Sequence, residues 1–526
     1  MNQRKTIAWA LVTCSAFLLL LTALLPTASG QSMTGQVSGT VQDPQSAVIP
    51  GATVTLTSEL TGQERQMASG SQGEFLFTQL VAGAYTVRVS ASGFKVFEQK
   101  GIKLSANEKM VVSSVKLEIG TTSETVEVTA SVARVETQSS ERTGLISSTQ
   151  VSELAASADR DYMKLLKVVP GVVFNADQPL NNAGGPPPPG PSYTVLGGKS
   201  GQTIVSLDGI ADTDTSANWS GQTFTNPNVD AISEMKVMLT NYTAEYGIRS
   251  GGTINVSIKN GTKEFHGSGY YFKRHEKLNA NEWNNKSSAP MTPRQRYRYD
   301  NFGYTIGGPI IIPGTGFNQS REKLFFFVAM EWLKNVSPSG AQRRYFPTAL
   351  ERQGDFSQTV QATPDLSTPV VFHDPETGQP FPGNVIPPER ADAVGKAFLN
   401  FYPVGNPTPS LYAGSLYNWT GTWLTENPRN QQIYRIDWNV APKTLIYSRF
   451  VRTSNPTTNP LGLETVEATY PVLGTYQTNR GSNFVTTWIQ TFSTSLVNEL
   501  TAGFNRGSVE QTPFEDQLEA IKRTNI

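Results

Sequence analysis

The sequence holds few of the side chains that enzymes and metal centres use. It has three histidines, His266, His275 and His373, and a single cysteine, Cys14, and none of them forms an HExxH motif. A protein zinc site needs three or four such ligands close together. The GxSxG motif of hydrolases and the phosphate-binding P-loop are also absent from the sequence. The sequence therefore predicts no catalytic residue, no cofactor and no metal site.

One acidic pair leaves a choice between an ion site and a turn. Asp374 and Glu376 lie in the loop-like run HDPETGQ. Carboxylate oxygens are ligands that Ca²⁺ prefers, so a calcium or sugar site is one interpretation. Asp, Pro and Gly are also the residues that build surface turns. The pattern favours the turn.

The composition is typical of a β-rich protein outside the cytoplasm. Only 16% of the 526 residues are charged, while 45 are glycine, 33 are proline and 10% are aromatic, which favours strands and turns. The 43 basic residues balance the 43 acidic ones, so nothing indicates a nucleic-acid partner. A mean hydropathy of −0.30 excludes a bundle of membrane-spanning helices but allows a β-barrel, whose lumen-facing side is polar.

The first 30 residues have the three parts of a secretory signal peptide. A short basic stretch (2–5) precedes an apolar run (6–25) and the small residues of PTASG (26–30). A membrane anchor is the alternative, but the positive flank of a stop-transfer segment is missing. Because Cys14 lies inside the apolar run, the mature protein is expected to lack cysteine and therefore disulfides.

Three regions are expected after the signal peptide. Residues 31–120 carry short alternating strands between Gly, Pro and Ser turns, which predicts a β-sandwich. Residues 121–142 are expected to be a linker. Residues 143–260 combine short helices (151–158 and 161–168), the irregular loop NNAGGPPPPGP and three strands (203–208, 232–239 and 253–258), which predicts a small α+β domain.

Residues 261–526 contain longer strands with aromatic residues on one side. Seven such strands are predicted, at 263–274, 299–312, 323–333, 431–440, 443–452, 483–492 and 496–506. Alternation with short turns suits an outer-membrane barrel. A soluble sandwich would show the same alternation, so that alternative stays open. The proline-rich stretch 334–430 is long enough to require a function, a fold of its own or disorder.

The run EYGIRSGGTINVSIKNGTKEFHGSGYYFKR, residues 245–274, changes from a glycine-flanked strand to a barrel-like strand after Asn260-Gly261. It resembles the end of the plug and the first barrel strand of TonB-dependent outer-membrane receptors, in particular the Oar-like group. The segments GTVQDPQSAVIPGATVTL and GEFLFTQLVAGAYTVRVSASGF resemble their N-terminal carboxypeptidase-regulatory-like domain, a name that implies no activity. The matching plug residues are Asp208, Gly209, Tyr246, Gly247, Gly251, Gly252 and Asn255. After the first plug glycines these receptors usually have an arginine, whereas this sequence has Lys199.

A seven-residue segment between the sandwich and the plug is similar to a TonB box. It consists of Glu124, Thr125, Val126, Glu127, Val128, Thr129 and Ala130. An extended, β-branched segment in a tether can pair by strand addition with the sheet edge of a partner. A last strand of the sandwich or a plain linker is the alternative. We call these residues the box-like segment.

The expected fold is mainly β: an N-terminal β-sandwich, a small α+β plug domain and the first strands of a transmembrane antiparallel β-barrel. Seven strands are too few to enclose a plug, because plugged barrels have about 22, so the chain is expected to be the N-terminal part of a longer protein. The resemblance implies an outer-membrane location in a Gram-negative bacterium, with the N-terminal domain in the periplasm.

The resemblance also implies a function and its partners. The expected function is uptake of an unidentified extracellular ligand, energised by a TonB-like protein, in contact with outer-membrane lipids. The alternative is an Oar-like surface protein for adhesion or envelope organisation. Neither the ligand nor the residues that bind it can be read from the sequence.

Overall fold

The computed structural model describes residues 34–121, 125–129, 140–154, 160–174, 193–198, 202–213, 223–246, 250–281, 283–287, 291, 293–338, 342–399, 402–412, 414–421, 424–459, 474–493 and 496–516. The predicted signal peptide and the predicted site residues Glu124, Ala130 and Gly247 lie outside them. Within the described part of the chain, no helix combines the length and the apolar character needed to cross a bilayer.

The first region is a sandwich of two sheets around one apolar core. Its strands are β1 (Gly35–Gln42), β2 (Thr53–Ser58), β3 (Glu64–Ala68), β4 (Glu74–Leu80), β5 (Gly83–Ser90), β6 (Val96–Leu104), β7 (Lys109–Lys116) and β8 (Thr125–Thr129). The sheet orders are β4-β1-β7 and β3-β2-β5-β6-β8. Val37 and Phe75 of the first sheet and Val54 and Val87 of the second belong to one buried cluster. Alternate residues of each strand therefore face the other sheet.

Strand β8 continues the sandwich beyond residue 120, where the sequence predicts a linker. Residues 125–129 pair in parallel with residues 96–100 of β6, and β8 is the end strand of its sheet. The open edge of β6 offers a row of backbone donors and acceptors, and the β-branched residues of the segment suit an extended backbone. Most of the box-like segment is thus a strand of the sandwich and not a free tether.

The second region, which we call the inner domain, is a small α+β unit. Its strands are β9 (Arg142–Ile146), β10 (Val172–Phe174), β11 (Tyr193–Val195), β12 (Ile204–Leu207), β13 (Ile210–Ala211), β14 (Ile232–Thr240) and β15 (Thr253–Ile258). The main sheet has the order β13-β12-β15-β14-β9, and β10 pairs with β11. All six residues of β15 are buried. This central strand runs parallel to β12 and antiparallel to β14.

Short helices cover this sheet. Helix α1 (Ser148–Glu153) begins with a capping box between Ser147 and Gln150, which satisfies amide donors at its start. It begins three residues before the predicted helix. The second predicted helix is a 3₁₀ helix, Tyr162–Val168, capped by Asp161. Two further 3₁₀ turns are Val229–Ala231 and Ala244–Tyr246.

The third region contains the remaining strands. They are β16 (His266–His275), β17 (Arg298–Pro309), β18 (Leu324–Pro338), β19 (Gln342–Arg344), β20 (Ser410–Tyr412), β21 (Ser415–Tyr417), β22 (Trp419–Gly421), β23 (Leu424–Glu426), β24 (Arg429–Ala441), β25 (Thr444–Asn459), β26 (Thr475–Ser493) and β27 (Leu496–Pro513). Seven long strands form one sheet in the order β16-β17-β18-β24-β25-β26-β27, which we call the strand wall. These are the seven predicted strands. The wall does not close, because β16 and β27 are its two ends among the described residues.

The two faces of the wall differ in the way that a barrel requires. On β24 the outward residues Tyr434, Ile436, Trp438 and Val440 are exposed. The alternate residues point inward and are buried, and they are Ile433, Arg435, Asp437 and Asn439. Apolar-out and polar-in alternation is the pattern of a strand between lipid and a lumen.

The long segment between β18 and β24 is folded rather than structureless. Helix α2 (Trp283–Ser287) and a 3₁₀ turn at Glu276–Leu278 lie earlier, between β16 and β17. The segment between β18 and β24 contains the small strands β19 to β23, helix α3 (Ala393–Leu399) and 3₁₀ turns at Glu351–Gln353, Pro382–Asn384 and Pro388–Arg390. The buried Glu351 accepts hydrogen bonds from the hydroxyls of Tyr345 and Thr359. Arg352 donates to the carbonyls of Leu399, Tyr402 and Pro403. These bonds tie distant parts of the segment together.

The sandwich lies at the end of the wall that has the tight turns. A cleft of about 1170 Å³ separates strands β3 and β4 from the turn at Ala441, Pro442 and Lys443. Direct contacts beside it include the Lys263 amide donating to the Leu60 carbonyl at 3.1 Å. The connections β16–β17, β18–β24 and β25–β26 leave from the opposite ends of the strands, and the β17–β18 connection is the one longer connection on the side of the tight turns. Short turns on one side and long loops on the other are typical of outer-membrane barrels.

Candidate functional site at the inner domain and strand wall

Asp208 is the predicted plug residue around which a buried site is built. It follows β12 and adopts a positive φ of 44°, and Gly209 follows with a φ of 87°. Asp tolerates this left-handed conformation better than most residues. One carboxylate oxygen accepts from the Ile258 amide at 3.1 Å, and the other accepts from Arg449 Nε at 2.9 Å. The tight turn therefore directs the Asp208 carboxylate of the inner domain towards the Arg449 guanidinium of the wall.

Arg449, on β25, is the largest fully buried side chain in the described part of the molecule. Besides Asp208 it donates to the Leu207 carbonyl at 2.7 Å and to the side-chain oxygen of Asn483 at 2.6 Å. A third bond reaches the Asn483 carbonyl at 3.2 Å. The guanidinium thus joins two wall strands to the end of β12.

A second arginine lies beside the first. Arg435, on β24, makes a forked contact with Asp437, with N–O distances of 2.9 to 3.1 Å. It also donates to the Ile258 carbonyl of the inner domain at 2.9 Å and lies 3.8 Å from Asp208. Two neighbouring wall arginines therefore meet the carboxyl ends of β12 and β15.

A third acid completes the site, which we call the ion cluster: Asp208, Asp212, Arg435, Asp437 and Arg449. The Asp212 carboxylate accepts from the Thr225 amide at 3.1 Å, from the Thr225 hydroxyl at 2.9 Å and from Asn483 Nδ2 at 3.4 Å. Burial raises the pKa of the Asp212 carboxyl to about 7, while the Thr225 hydrogen bonds and the Arg449 charge act in the opposite direction.

The charges of the ion cluster suit a contact that can open. Three carboxylates face two guanidinium groups, so protonation of Asp212 makes the cluster neutral. Desolvation makes buried ion pairs poor sources of stability compared with packed apolar residues. When such a contact separates into water, each charge regains its hydration, whereas separated apolar faces would stay unfavourable. The cluster can therefore hold the inner domain in register without fixing it permanently.

A second contact to the wall stacks a cation on aromatic rings. Arg160 of the inner domain forms an ion pair with Asp230. Its guanidinium also lies 4.7 Å from the ring centre of Tyr270 and 4.5 Å from that of Phe272, both on β16. Cation–π contacts of this kind stabilise by about 0.5–2 kcal/mol. The inner domain thus meets the wall at β16 as well as at β24 to β26.

The other predicted plug residues that the structure describes support the inner sheet and do not join the ion cluster. Gly252 has a φ of 85°, and a Cβ there would lie 2.8 Å from the Met238 carbonyl oxygen. The Gly251 amide donates to the Gln202 carbonyl at 3.0 Å, and the Thr253 hydroxyl donates to the carbonyl of the buried Tyr246 at 3.3 Å. Asn255, at the centre of the sheet, accepts a bond from Ser206. Gly251 and Gly252 lie at the opposite end of β12 from Asp208, so the motif is spread across the domain.

The acidic pair Asp374 and Glu376 forms a turn. Asp374 accepts from the Glu376 amide at 2.9 Å, and Arg390 lies within 2.8 Å of Asp374 and 3.3 Å of Glu376. A cation of the chain therefore already faces both carboxylates. Among the described residues, no group of three or more His, Cys, Asp or Glu side chains is arranged to hold a metal ion.

Sequence reasoning missed four members of the ion cluster: Asp212, Arg435, Asp437 and Arg449. Arg435 and Asp437 alternate with Ile436 and Trp438, so their parity already indicates the polar face of a strand. No sequence signal pairs Arg449 with Asp208, which lies 241 residues away. The contact becomes visible only when the inner domain is placed against the wall.

Comparisons with known proteins agree with this architecture. A family model described as an outer membrane beta barrel domain matches residues 257–525, just over half of the chain. A carboxypeptidase regulatory-like domain model matches residues 36–118. The TonB-dependent transporter Oar of Myxococcus xanthus is 24% identical over 300 residues, which are 55% of this chain and 26% of the relative. The chain thus spans about a quarter of the length of that curated relative.

Two solved outer-membrane proteins are similar at low identity. The transporter YddB of Escherichia coli has 10% identity and a TM-score of 0.40, covering 69% of this chain and 38% of YddB. A mutant of the ferric enterobactin receptor PfeA of Pseudomonas aeruginosa has 11% identity and a TM-score of 0.33, covering 70% and 45%.

The family matches confirm the resemblance found in the sequence. The family models and the curated relative describe barrel and regulatory-like domains and a transporter, in agreement with the prediction that the protein is not an enzyme. The chain therefore belongs to the outer membrane beta barrel domain family, carries a carboxypeptidase regulatory-like domain ahead of its barrel strands, and is a protein of the Gram-negative outer membrane.

Proposed function

We propose that the chain is the N-terminal part of a TonB-dependent outer-membrane transporter. In this proposal the inner domain is the plug, the strand wall is the first part of the barrel, and the sandwich lies in the periplasm. The transporter takes up an extracellular ligand, whose binding we assign to the long segment between β18 and β24 and to the plug surface near it. A TonB-like protein supplies the energy through the box-like segment.

The observation that carries the proposal is the ion cluster between plug and wall. A plug has to be held in one position and still be able to move. Arg449 and Arg435 grip the ends of β12 and β15 through charges and carbonyls. These contacts require one particular geometry, and their charged groups become hydrated when the contact opens. An apolar seal of equal size would resist that step.

The position of the sandwich supports the assigned sides. It lies beside the tight turns of the wall, which belong to the periplasmic side in outer-membrane barrels. The box-like segment is part of this sandwich. A TonB-like protein anchored in the inner membrane would therefore meet the segment on the periplasmic side.

Proline in the box-like segment of the full-length protein tests the proposal. Val126→Pro removes a backbone donor and fixes φ. The control Val126→Ala keeps the donor and leaves φ free to adopt the extended value that strand pairing needs. We expect both variants to reach the outer membrane and to show heat-modifiable mobility. Only the proline variant should lose formaldehyde crosslinking to the TonB-like protein in cells.

Three results would count against the proposal. Recovery of the protein as a soluble periplasmic species would contradict the barrel. Normal crosslinking of Val126→Pro would mean that the segment is not the point of energy coupling. If Val126→Pro keeps the surface behaviour of the unmodified protein, and the unmodified protein does not crosslink to the TonB-like protein, an adhesion or envelope-organising role is supported instead.

A further inference from the structure

The box-like segment has an ordered place on the sandwich. Five residues, Thr125–Thr129, lie in parallel register with β6, from Val96 opposite Thr125 to Lys100 opposite Thr129. Strand β8 is the last strand in its sheet among the described residues. Among the described residues, one edge of β8 pairs with β6 and the other edge has no partner strand.

We propose that the sandwich presents the box-like segment as an edge strand, to which a strand of the TonB-like partner adds while β8 stays on β6. This inference rests on the proposed function. Successive amides of a strand point to opposite edges, so β8 pairs with β6 through one set of backbone groups and keeps the other set for a partner. The partner therefore does not need to displace β6.

Presentation as a strand has an energetic consequence. Fixing the backbone of a free residue in one conformation costs conformational entropy, and β8 already holds five residues in extended form. Pairing of β8 with β6 orders these residues before the partner binds, so binding does not have to order them. Preorganisation of this kind raises affinity without adding any contact.

Strand β6 also gives β8 a direct connection to the plug. It ends at Leu104 and leads straight into the turn 105–108, which is braced by Glu108 accepting from the Ser105 amide at 2.7 Å. The next amide, that of Ala106, donates to Glu234 of β14 at 2.6 Å. Lys236 of β14 donates to the Asn107 carbonyl at 3.1 Å.

A pull on β8 therefore acts first on β6 and then on the turn that touches the plug. Without the pairing, force would reach the plug only through the chain that follows residue 130. The sandwich thereby becomes a mechanical part of energy coupling as well as the holder of the segment.

A disulfide that locks β8 on β6 tests the inference. Glu98 and Glu127 are register partners, and neighbouring strands lie about 5 Å apart, within reach of a disulfide. Glu98→Cys with Glu127→Cys is made in the full-length protein after any other cysteine has been replaced by serine; the only cysteine among residues 1–526, Cys14, lies in the predicted signal peptide. The probe is the purified C-terminal domain of the TonB-like protein from the same bacterium. For each variant, binding of the probe by the oxidised protein is compared with binding by the reduced protein.

We expect the disulfide to form and the oxidised protein to bind the probe within about twofold of the reduced one, because the open edge is untouched. The control pair Glu98→Cys with Thr129→Cys is displaced by two residues, about 6–7 Å along the strand, and should not crosslink. Failure of the matched pair to crosslink would overturn the inference.

A different outcome separates this inference from the proposed function. Loss of binding on oxidation by tenfold or more, about 1.4 kcal/mol, and its return on reduction, would show that β6 hides the segment instead of presenting it. If Val126→Pro binds the probe as well as the unmodified protein does, the box assignment itself fails and both proposals fall. Weak binding of Val126→Pro with retained binding of the locked protein supports both.

Discussion

The inner domain contacts the strand wall and the sandwich in different ways. The wall contact includes charged side chains on both sides, with Arg449 fully buried among Asp208, Leu207 and Asn483. Beside them the wall residues Phe327, Ala329, Ile433 and Val451 pack in the same apolar cluster as the core of the inner domain. In the sandwich contact, Glu234 and Lys236 bind backbone atoms of one turn, and Tyr246 hydrogen-bonds the side chain of Asn107 in the same turn. The first contact depends on particular residue types in both regions. In the second contact, the bonds of Glu234 and Lys236 to backbone atoms need no particular residue type on the sandwich side.

This difference indicates how force would pass through the molecule. A turn that is held by its backbone can be pulled by the sandwich without any matched charge on the sandwich. The ion cluster, by contrast, releases only when all of its charges are rehydrated together. We therefore expect substitutions in the cluster to have much larger effects than substitutions at the sandwich contact.

The largest effect is expected for Arg449→Met. It removes the arginine that is hydrogen-bonded to the buried Asp208 and leaves only Arg435, 3.8 Å away, which should weaken seating of the inner domain by about 3–5 kcal/mol. The measurement is the rate at which protease cleaves the inner domain in purified full-length protein. Asp208→Asn added to Arg449→Met should recover part of the loss, because it removes the uncompensated charge.

The matched control is Arg480→Met on β26. Arg480 pairs with Glu510 at 2.9 Å, but both side chains are about half exposed, and exposed pairs contribute about 0–1 kcal/mol. Protection should stay near that of the unmodified protein. Equal cleavage of the Arg449 and Arg480 variants would contradict the importance of the ion cluster.

A smaller, pH-dependent effect is expected for Asp212→Asn. The folded pKa of about 7 exceeds the ordinary value of 3.8, so between these values the folded protein binds more protons than the unfolded chain. The contribution of Asp212 to the free energy of unfolding is therefore fully present at low pH and is lost as the pH rises through the folded pKa of about 7. The upper limit of this loss is roughly 1.4 kcal/mol per unit of pKa difference.

The asparagine cannot ionise, so the advantage of Asp212→Asn over the unmodified protein should grow from pH 4 to pH 7 and then level off. Unfolding temperatures of both proteins across pH 4 to 8 give the comparison. Parallel curves would show that Asp212 does not titrate in this range.

The smallest effect is expected for Glu234→Gln. The Ala106 amide loses a charged acceptor, a change of about 1–2 kcal/mol, and hydrogen exchange at Ala106 should become roughly tenfold faster. Lys95→Met is the control, because the Lys95–Glu118 pair of the sandwich is distant from this turn in sequence and lies near the surface. No change at Ala106 would mean that the turn is held by the sandwich alone.

The strands of the wall could be predicted because their faces differ. Phe484, Trp488 and Phe504 lie on the outward face, as their spacing indicates, and Phe484 is opposite Phe504 in the register. The prediction begins β26 at residue 483, whereas the strand begins at Thr475. The extra residues, TYQTNRGS, carry no apolar face, so alternation of hydrophobicity could not reveal them.

The sites were less predictable than the strands because they depend on contacts between regions. Asp208 was found by resemblance, but its partner Arg449 lies on a strand that reads simply as amphipathic. The box-like segment shows the same limit. Its β-branched residues suit a partner's sheet and the sandwich's own sheet equally well, and only the register with β6 decides between tether and strand.

The most direct measurement of plug movement uses a cysteine at Thr453. This residue of β25 is buried on the inward face, and its hydroxyl oxygen accepts from the Asn226 amide of the inner domain at 3.4 Å. In growing cells, we expect a small membrane-impermeant maleimide to label Thr453→Cys in the full-length protein only when the TonB-like protein and the proton gradient are both present. Labelling that is the same without the gradient or without the TonB-like protein would contradict an inner domain that moves as an energised plug.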